Sequence, residues 1–99
     1  VNKLRLLSKK TNDFKILSLD GVFVAIGHDP STACFKNSIQ LDREGYIVLR
    51  EKGTTSTNVD GIFVAGDCVD KVYRQAVTAA GMGCMAALDA EKWLQNQLN

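Results

Sequence analysis

A single histidine among 99 residues leaves this chain without the usual partners for a zinc site or a histidine-based acid–base dyad, and no metal site is expected. The three cysteines, Cys34, Cys68 and Cys84, form no CxxC pair and are too widely spaced for a disulfide framework. Reduced thiols in a cytoplasmic setting are the expectation. Charge of neither sign dominates: 12 Lys and Arg stand against 11 Asp and Glu, so nothing electrostatic points to nucleic acid or to an anionic membrane surface as partner. No apolar run reaches the length of a membrane span, and the opening VNKLRLLSKKTND lacks the layout of a signal peptide. Proline occurs once, at position 30, where it restricts Asp29 and marks a break.

What is present is an ordinary 45% of hydrophobic residues, enough for a small core. Lys3 to Leu7 and Phe14 to Leu17, joined by the polar stretch Ser8 to Asp13, predict a hairpin. The run Val22 to Gly27 is continuously apolar and predicts a strand buried on both faces. It has an echo: Asp20 to Ala25 and Asp60 to Ala65 match at five of six positions, which predicts two similar strands serving two sheets. Gly27 to Ser31 reads as a hinge, with His28 an ordinary loop side chain. Thr32 to Lys36 suits one helical turn. Ile39 to Asp42 and Tyr46 to Leu49 flank a compact turn and predict a second hairpin, and Glu51 to Asn58 reads as an exposed loop.

The stretch Gly61 to Ala76, GIFVAGDCVDKVYRQA, joins a strand over Ile62 to Ala65 to the start of a helix running from Val72 or Tyr73 to Gln97. Glycine followed by a carboxylate at the carboxyl end of a buried strand is where open α/β sheets hold ligands. A helix start nearby offers unpaired N–H groups and the positive end of a dipole. Along the helix, Ala76, Ala80, Gly83 and Ala87 lie beside Val77, Gly81, Cys84 and Leu88, a face of mostly small residues. A glycine inside a helix costs about 1 kcal/mol relative to alanine. This face is therefore expected to lie close against a sheet, with Cys84 in the core.

With GIFVAGD, YRQA and GMGCMAALDAEKWL on the page, the chain resembles the C-terminal part of the bacterial, low-molecular-weight thioredoxin reductases over nearly its whole length. GVFVAIGHDP is similar to that family's passage from the NADPH-binding domain back to the FAD-binding domain. The resemblance implies an α/β fold: the closing part of a two-domain disulfide reductase with an incomplete Rossmann-like FAD domain. It implies closing strands of the NADPH domain over residues 1–27, an interdomain hinge at 28–32 and the end of the FAD domain over 33–99. It puts FAD against Asp67, Cys68, Tyr73, Arg74, Gln75 and Ala76. Asp67 would accept from the ribityl chain, and the Arg74 to Ala76 backbone would reach the flavin's pyrimidine oxygen.

The same resemblance implies a homodimeric parent oxidoreductase that passes electrons from NADPH through FAD and a redox disulfide to thioredoxin. No catalytic residue is expected in these 99 residues, because the CxxC and both glycine-rich fingerprints of that family lie upstream of the matched region. The chain is expected to be a fragment, inactive alone. Two other readings stand beside this one: a non-catalytic fragment that self-associates, and a related flavin-dependent reductase acting on ferredoxin or a peroxiredoxin.

Overall fold

The computed structural model describes all 99 residues as an elongated body of 69 × 27 × 20 Å. Its radius of gyration, 20.2 Å, far exceeds the roughly 13 Å of a compact chain of this length. The elongation arises at the amino-terminal end. Strands β1 (Lys3–Leu7) and β2 (Phe14–Ser18) pair antiparallel, with Lys3 opposite Ser18 and Leu7 opposite Phe14. Alternating long side chains suit such a ribbon, and Arg5 lies over the Phe14 ring at 4.7 Å. The connection closes through Asn12 N–H to the Ser8 carbonyl (2.9 Å) and Ser8 N–H to the Asp13 carbonyl (3.0 Å). Asn12 takes the left-handed conformation, φ 58°, which asparagine tolerates better than most residues. This expected hairpin packs against no other regular element.

The apolar segment Val22 to Gly27 departs from expectation. It forms no strand, and Phe23 is 99% exposed. A strand buried on both faces needs a neighbour on each edge and a layer on each face, and this chain brings none to it. The Ile62 to Ala65 segment is likewise reduced to one bridge, Ser56 with Phe63, although Val64 is buried. No parallel sheet forms, so the α/β character rests on a two-stranded ribbon, isolated bridges and one long helix.

The core sits between residues 30 and 75. Ile39, Ile47 and Val64 are its buried centre, with Leu41, Leu49, Val59, Cys68 and Val69 packed around them. The second hairpin is present as a bridge between Leu41 and Ile47, and a single 3-10 turn covers Ala33–Phe35. The stretch from Glu51 to Asn58, expected as an exposed loop, carries two of the least exposed residues in the chain, Thr55 (1%) and Thr57 (0%). Their buried polar groups are all partnered. Thr57 Oγ1 hydrogen-bonds to the Val59 and Ile62 carbonyls and accepts from the Val59 N–H. Thr55 N–H and hydroxyl both donate to Asp89 Oδ2, at 2.8 and 2.7 Å.

Asp89 belongs to helix α1 (Ala76–Leu98), which begins a turn later than the sequence pattern predicts. The side turned to the core carries Thr78, Ala79, Met82, Ala86, Asp89, Ala90 and Trp93, spaced at helical intervals. The face of small residues is the other one. Ala76, Val77, Ala80, Gly81, Gly83, Cys84, Ala87 and Leu88 are all exposed, and nothing approaches the open side of Gly81 or Gly83. Cys84 is therefore a surface thiol here. The helix is fixed by side chains able to hydrogen-bond across to the loop: besides Asp89, Trp93 Nε1 donates to Asp60 Oδ2 at 3.0 Å. Gly61, at φ 77°, passes against the Trp93 ring, where an added Cβ would come within 3.0 Å.

Candidate functional site

The chain leaves the core at Val64, Ala65 and Gly66. Gly66 adopts φ 86°, a conformation that favours glycine, and turns the chain so that its carbonyl accepts from the Val69 (3.1 Å) and Asp70 (2.9 Å) N–H groups. The Cys68 carbonyl then accepts from the Ile47 N–H at 2.9 Å, tying this turn to the second hairpin. Cys68 Sγ lies 3.3 Å from the Ala65 carbonyl, and burial pushes the thiol's pKa up, opposite to what a reactive thiolate needs.

Past this turn, one carboxylate organises the path into α1. Asp70 Oδ1 accepts from the Val72 and Tyr73 N–H groups, both at 2.9 Å, and Oδ2 accepts from the Arg74 N–H at 2.9 Å. Hydrogen bonds from Tyr73 and then Arg74 hold the Asp70 carboxyl below the usual carboxylate range. Arg74 is bent into the left-handed region, φ 50°, at a cost of roughly 1–2 kcal/mol for a residue with a Cβ. It is held from two sides, since its Nη1 donates to the Tyr46 hydroxyl at 3.4 Å. Gln75 caps α1 in an extended conformation, with its N–H donating to Thr78 Oγ1 at 3.2 Å.

These constraints form a cleft of about 310 Å³ lined by His28, Asp29, Pro30, Ser31, Tyr46, Asp67, Cys68 and Arg74. The fold thus brings Asp67, Cys68 and Arg74 together with the expected hinge. The hinge's end is anchored: buried Thr32 hydrogen-bonds through its hydroxyl to the Gly45 carbonyl. The other three residues named from the resemblance lie apart from this cleft. Tyr73 borders an apolar groove with Leu49, Val69, Met82 and Met85, while Gln75 and Ala76 are exposed at the helix start. The Arg74 and Gln75 N–H groups are already committed, to Asp70 and Thr78. Ala76, the first residue of α1, carries the first N–H that the helix leaves open.

Asp70 and Tyr46 are not among the residues expected at the site, and His28, expected as an ordinary loop side chain, lines the cleft as well. Asp70 carries a legible signal, an aspartate a few residues before a helix, of the kind that holds backbone N–H groups. Tyr46 and His28 carry none, because they meet the cleft only through tertiary packing. Behind Tyr46, Lys71 pairs with Asp42 and with Glu44 (3.1 Å) and lies 5.2 Å from the centre of the Tyr46 ring. The Lys71 ammonium holds the Asp42 carboxyl below its ordinary range.

A carboxylate acceptor and a guanidinium lining one cleft suit a ligand that combines hydroxyl donors with carbonyl acceptors. Residues 2–83 match the family model described as pyridine nucleotide-disulphide oxidoreductase, and the chain belongs to that family of redox enzymes. Within it, the chain is 53% identical over 91 residues to a thioredoxin reductase of Coxiella burnetii, a match covering 89% of this chain and 28% of that protein. It is 50% identical over 94 residues to a bifunctional thioredoxin reductase/thioredoxin of Mycobacterium leprae, covering 95% and 20%. The solved thioredoxin reductase of Giardia duodenalis superposes with a TM-score of 0.79 at 44% identity, covering 95% of this chain and 31% of that one. The chain thus spans less than a third of these relatives. Such matches give a share of length and do not support the expected C-terminal placement, which rests on motif resemblance alone. No helix is long and apolar enough to cross a membrane.

Proposed function

We propose that this chain supplies part of the FAD-binding wall of a thioredoxin reductase whose electrons pass from NADPH through FAD and a redox disulfide to thioredoxin. The observation that carries the reading is the cleft uniting Asp67 and Arg74, the latter two residues before α1 begins. The names of the relatives favour thioredoxin over ferredoxin or a peroxiredoxin as acceptor. Residues 1–27 would belong to the NADPH-binding domain, 28–32 to the hinge and 33–99 to the FAD-binding domain. The β1–β2 ribbon, standing apart from the core, is consistent with that division. A cytoplasmic homodimer completes the proposal.

The residues present fit FAD. Asp67 is a carboxylate able to accept from the ribityl hydroxyls, and Arg74 supplies a guanidinium from the same cleft. The open N–H of Ala76 and the dipole of α1 would face carbonyl oxygen and developing negative charge on the ring, a contribution of about 0.3–2 kcal/mol. Cys68, with its raised pKa, would lend shape rather than redox chemistry. When bound, FAD supplies hydride acceptance and onward electron transfer to a disulfide. The chain's part is to bind it, orient it and hold positive potential at its pyrimidine edge.

In the full-length reductase, Asp67→Ala is expected to lose FAD on gel filtration, read from the flavin-to-protein absorbance ratio. Undiminished flavin content would remove Asp67 from the site.

A further inference from the structure

We propose that Asp70 is a positioning residue for the flavin: its carboxylate holds the Val72, Tyr73 and Arg74 backbone so that the Arg74 guanidinium enters the cleft two residues before α1 begins. This deepens the reading above and rests on it. The role is distinct from that of Asp67, because both Asp70 oxygens are turned onto backbone donors and Asp70 does not line the cleft.

Three features carry the inference. First, both carboxylate oxygens are engaged, Oδ1 by Val72 and Tyr73 and Oδ2 by Arg74, with the Thr78 hydroxyl 3.4 Å from Oδ2. Three consecutive N–H groups converging on one side chain leave that stretch little freedom to rotate. Second, the residue so held is Arg74, at φ 50°, a conformation an arginine keeps only where its surroundings over-determine it. Third, the held residue is the one whose side chain lines the cleft and reaches the hydroxyl of Tyr46, another lining residue. Releasing the Arg74 N–H would let the backbone relax toward negative φ and swing the guanidinium and the first turn of α1 away together.

The chemistry distinguishes positioning from general support. Donors and positive potential at the pyrimidine edge favour the reduced, more negative flavin over the oxidised one. Losing that alignment therefore weakens binding of reduced FAD more than of oxidised FAD and lowers the flavin's midpoint potential. A residue that merely stabilised the fold would weaken both alike and leave the potential where it was.

The test uses full-length holoenzyme carrying Asp70→Ala and Asp70→Asn. Asparagine keeps the shape and one acceptor oxygen, so it carries the test even where the alanine variant fails to fold. FAD release, followed by the gain in flavin fluorescence on dilution, is expected to quicken about tenfold or more in Asp70→Ala and less in Asp70→Asn, with the midpoint potential lowered in the same order. Wild-type release and potential in both folded variants would overturn the proposal. So would faster release at an unchanged potential. A wild-type full-length protein that holds no flavin would overturn the FAD reading itself, and this one with it.

Discussion

Asp89 shows how one side chain can close two elements together. It accepts two hydrogen bonds from Thr55, a residue only 1% exposed. Those bonds, the hydroxyl's first, hold the Asp89 carboxyl below its ordinary value of 3.8. A carboxyl whose folded pKa lies below its unfolded one contributes stability that is present above the unfolded value and lost as pH falls through the folded one. Asp89→Asn in the full-length protein is therefore expected to lower the midpoint of thermal unfolding at pH 7, with the gap from wild type closing below about pH 4. A gap independent of pH would show that shape, and not charge, fixes this contact. At the same scale, Asp70 turns both oxygens onto backbone N–H groups, whereas Asp67 lines the cleft.

Among the elements, α1 is the one whose seating differs most from its pattern. Both faces are populated by residues able to pack, and the sequence expectation chose the face with glycines. The core-facing side instead combines Met82, Ala86 and Ala90 with the polar anchors Asp89 and Trp93. The anchor at Trp93 depends on Gly61, where a side chain would collide with the ring and the backbone φ of 77° would be strained. Gly61→Ala is expected to destabilise the full-length protein by about 1–3 kcal/mol, measured by urea unfolding. Pairing it with Trp93→Ala should recover the steric part, so a double variant no better than the sum of the singles would count against that contact.

For the whole molecule the decisive quantity is exposed surface. A compact protein of this mass presents about 5,500 Å², whereas this chain presents 8228 Å², and only 7 of its residues are buried. Phe23, Ile26, Leu88 and the glycine-bearing face of α1 all lie open. Apolar surface on this scale drives association. The isolated 99-residue chain is expected to bind a hydrophobic dye and to elute from size exclusion as dimers or larger species. A stable, dye-silent monomer would contradict that expectation.

Local pattern alone determined the β1–β2 ribbon, the helical turn near Ala33 and the long helix, because each depends on neighbours within a few residues. The signal of Asp70 is legible in the same way. Only the tertiary structure decided that Thr55 and Thr57 are buried, that α1 seats on its Asp89 and Trp93 face, and that Tyr46 and His28 reach the cleft. Those outcomes depend on which surfaces meet across the chain, and side-chain spacing along one element is silent about its partner. The apolar runs at Val22 and Ile62 show the reverse: β propensity is a preference for a pleated, half-buried surface, and where no neighbour pairs with the backbone the run stays apolar without becoming a strand.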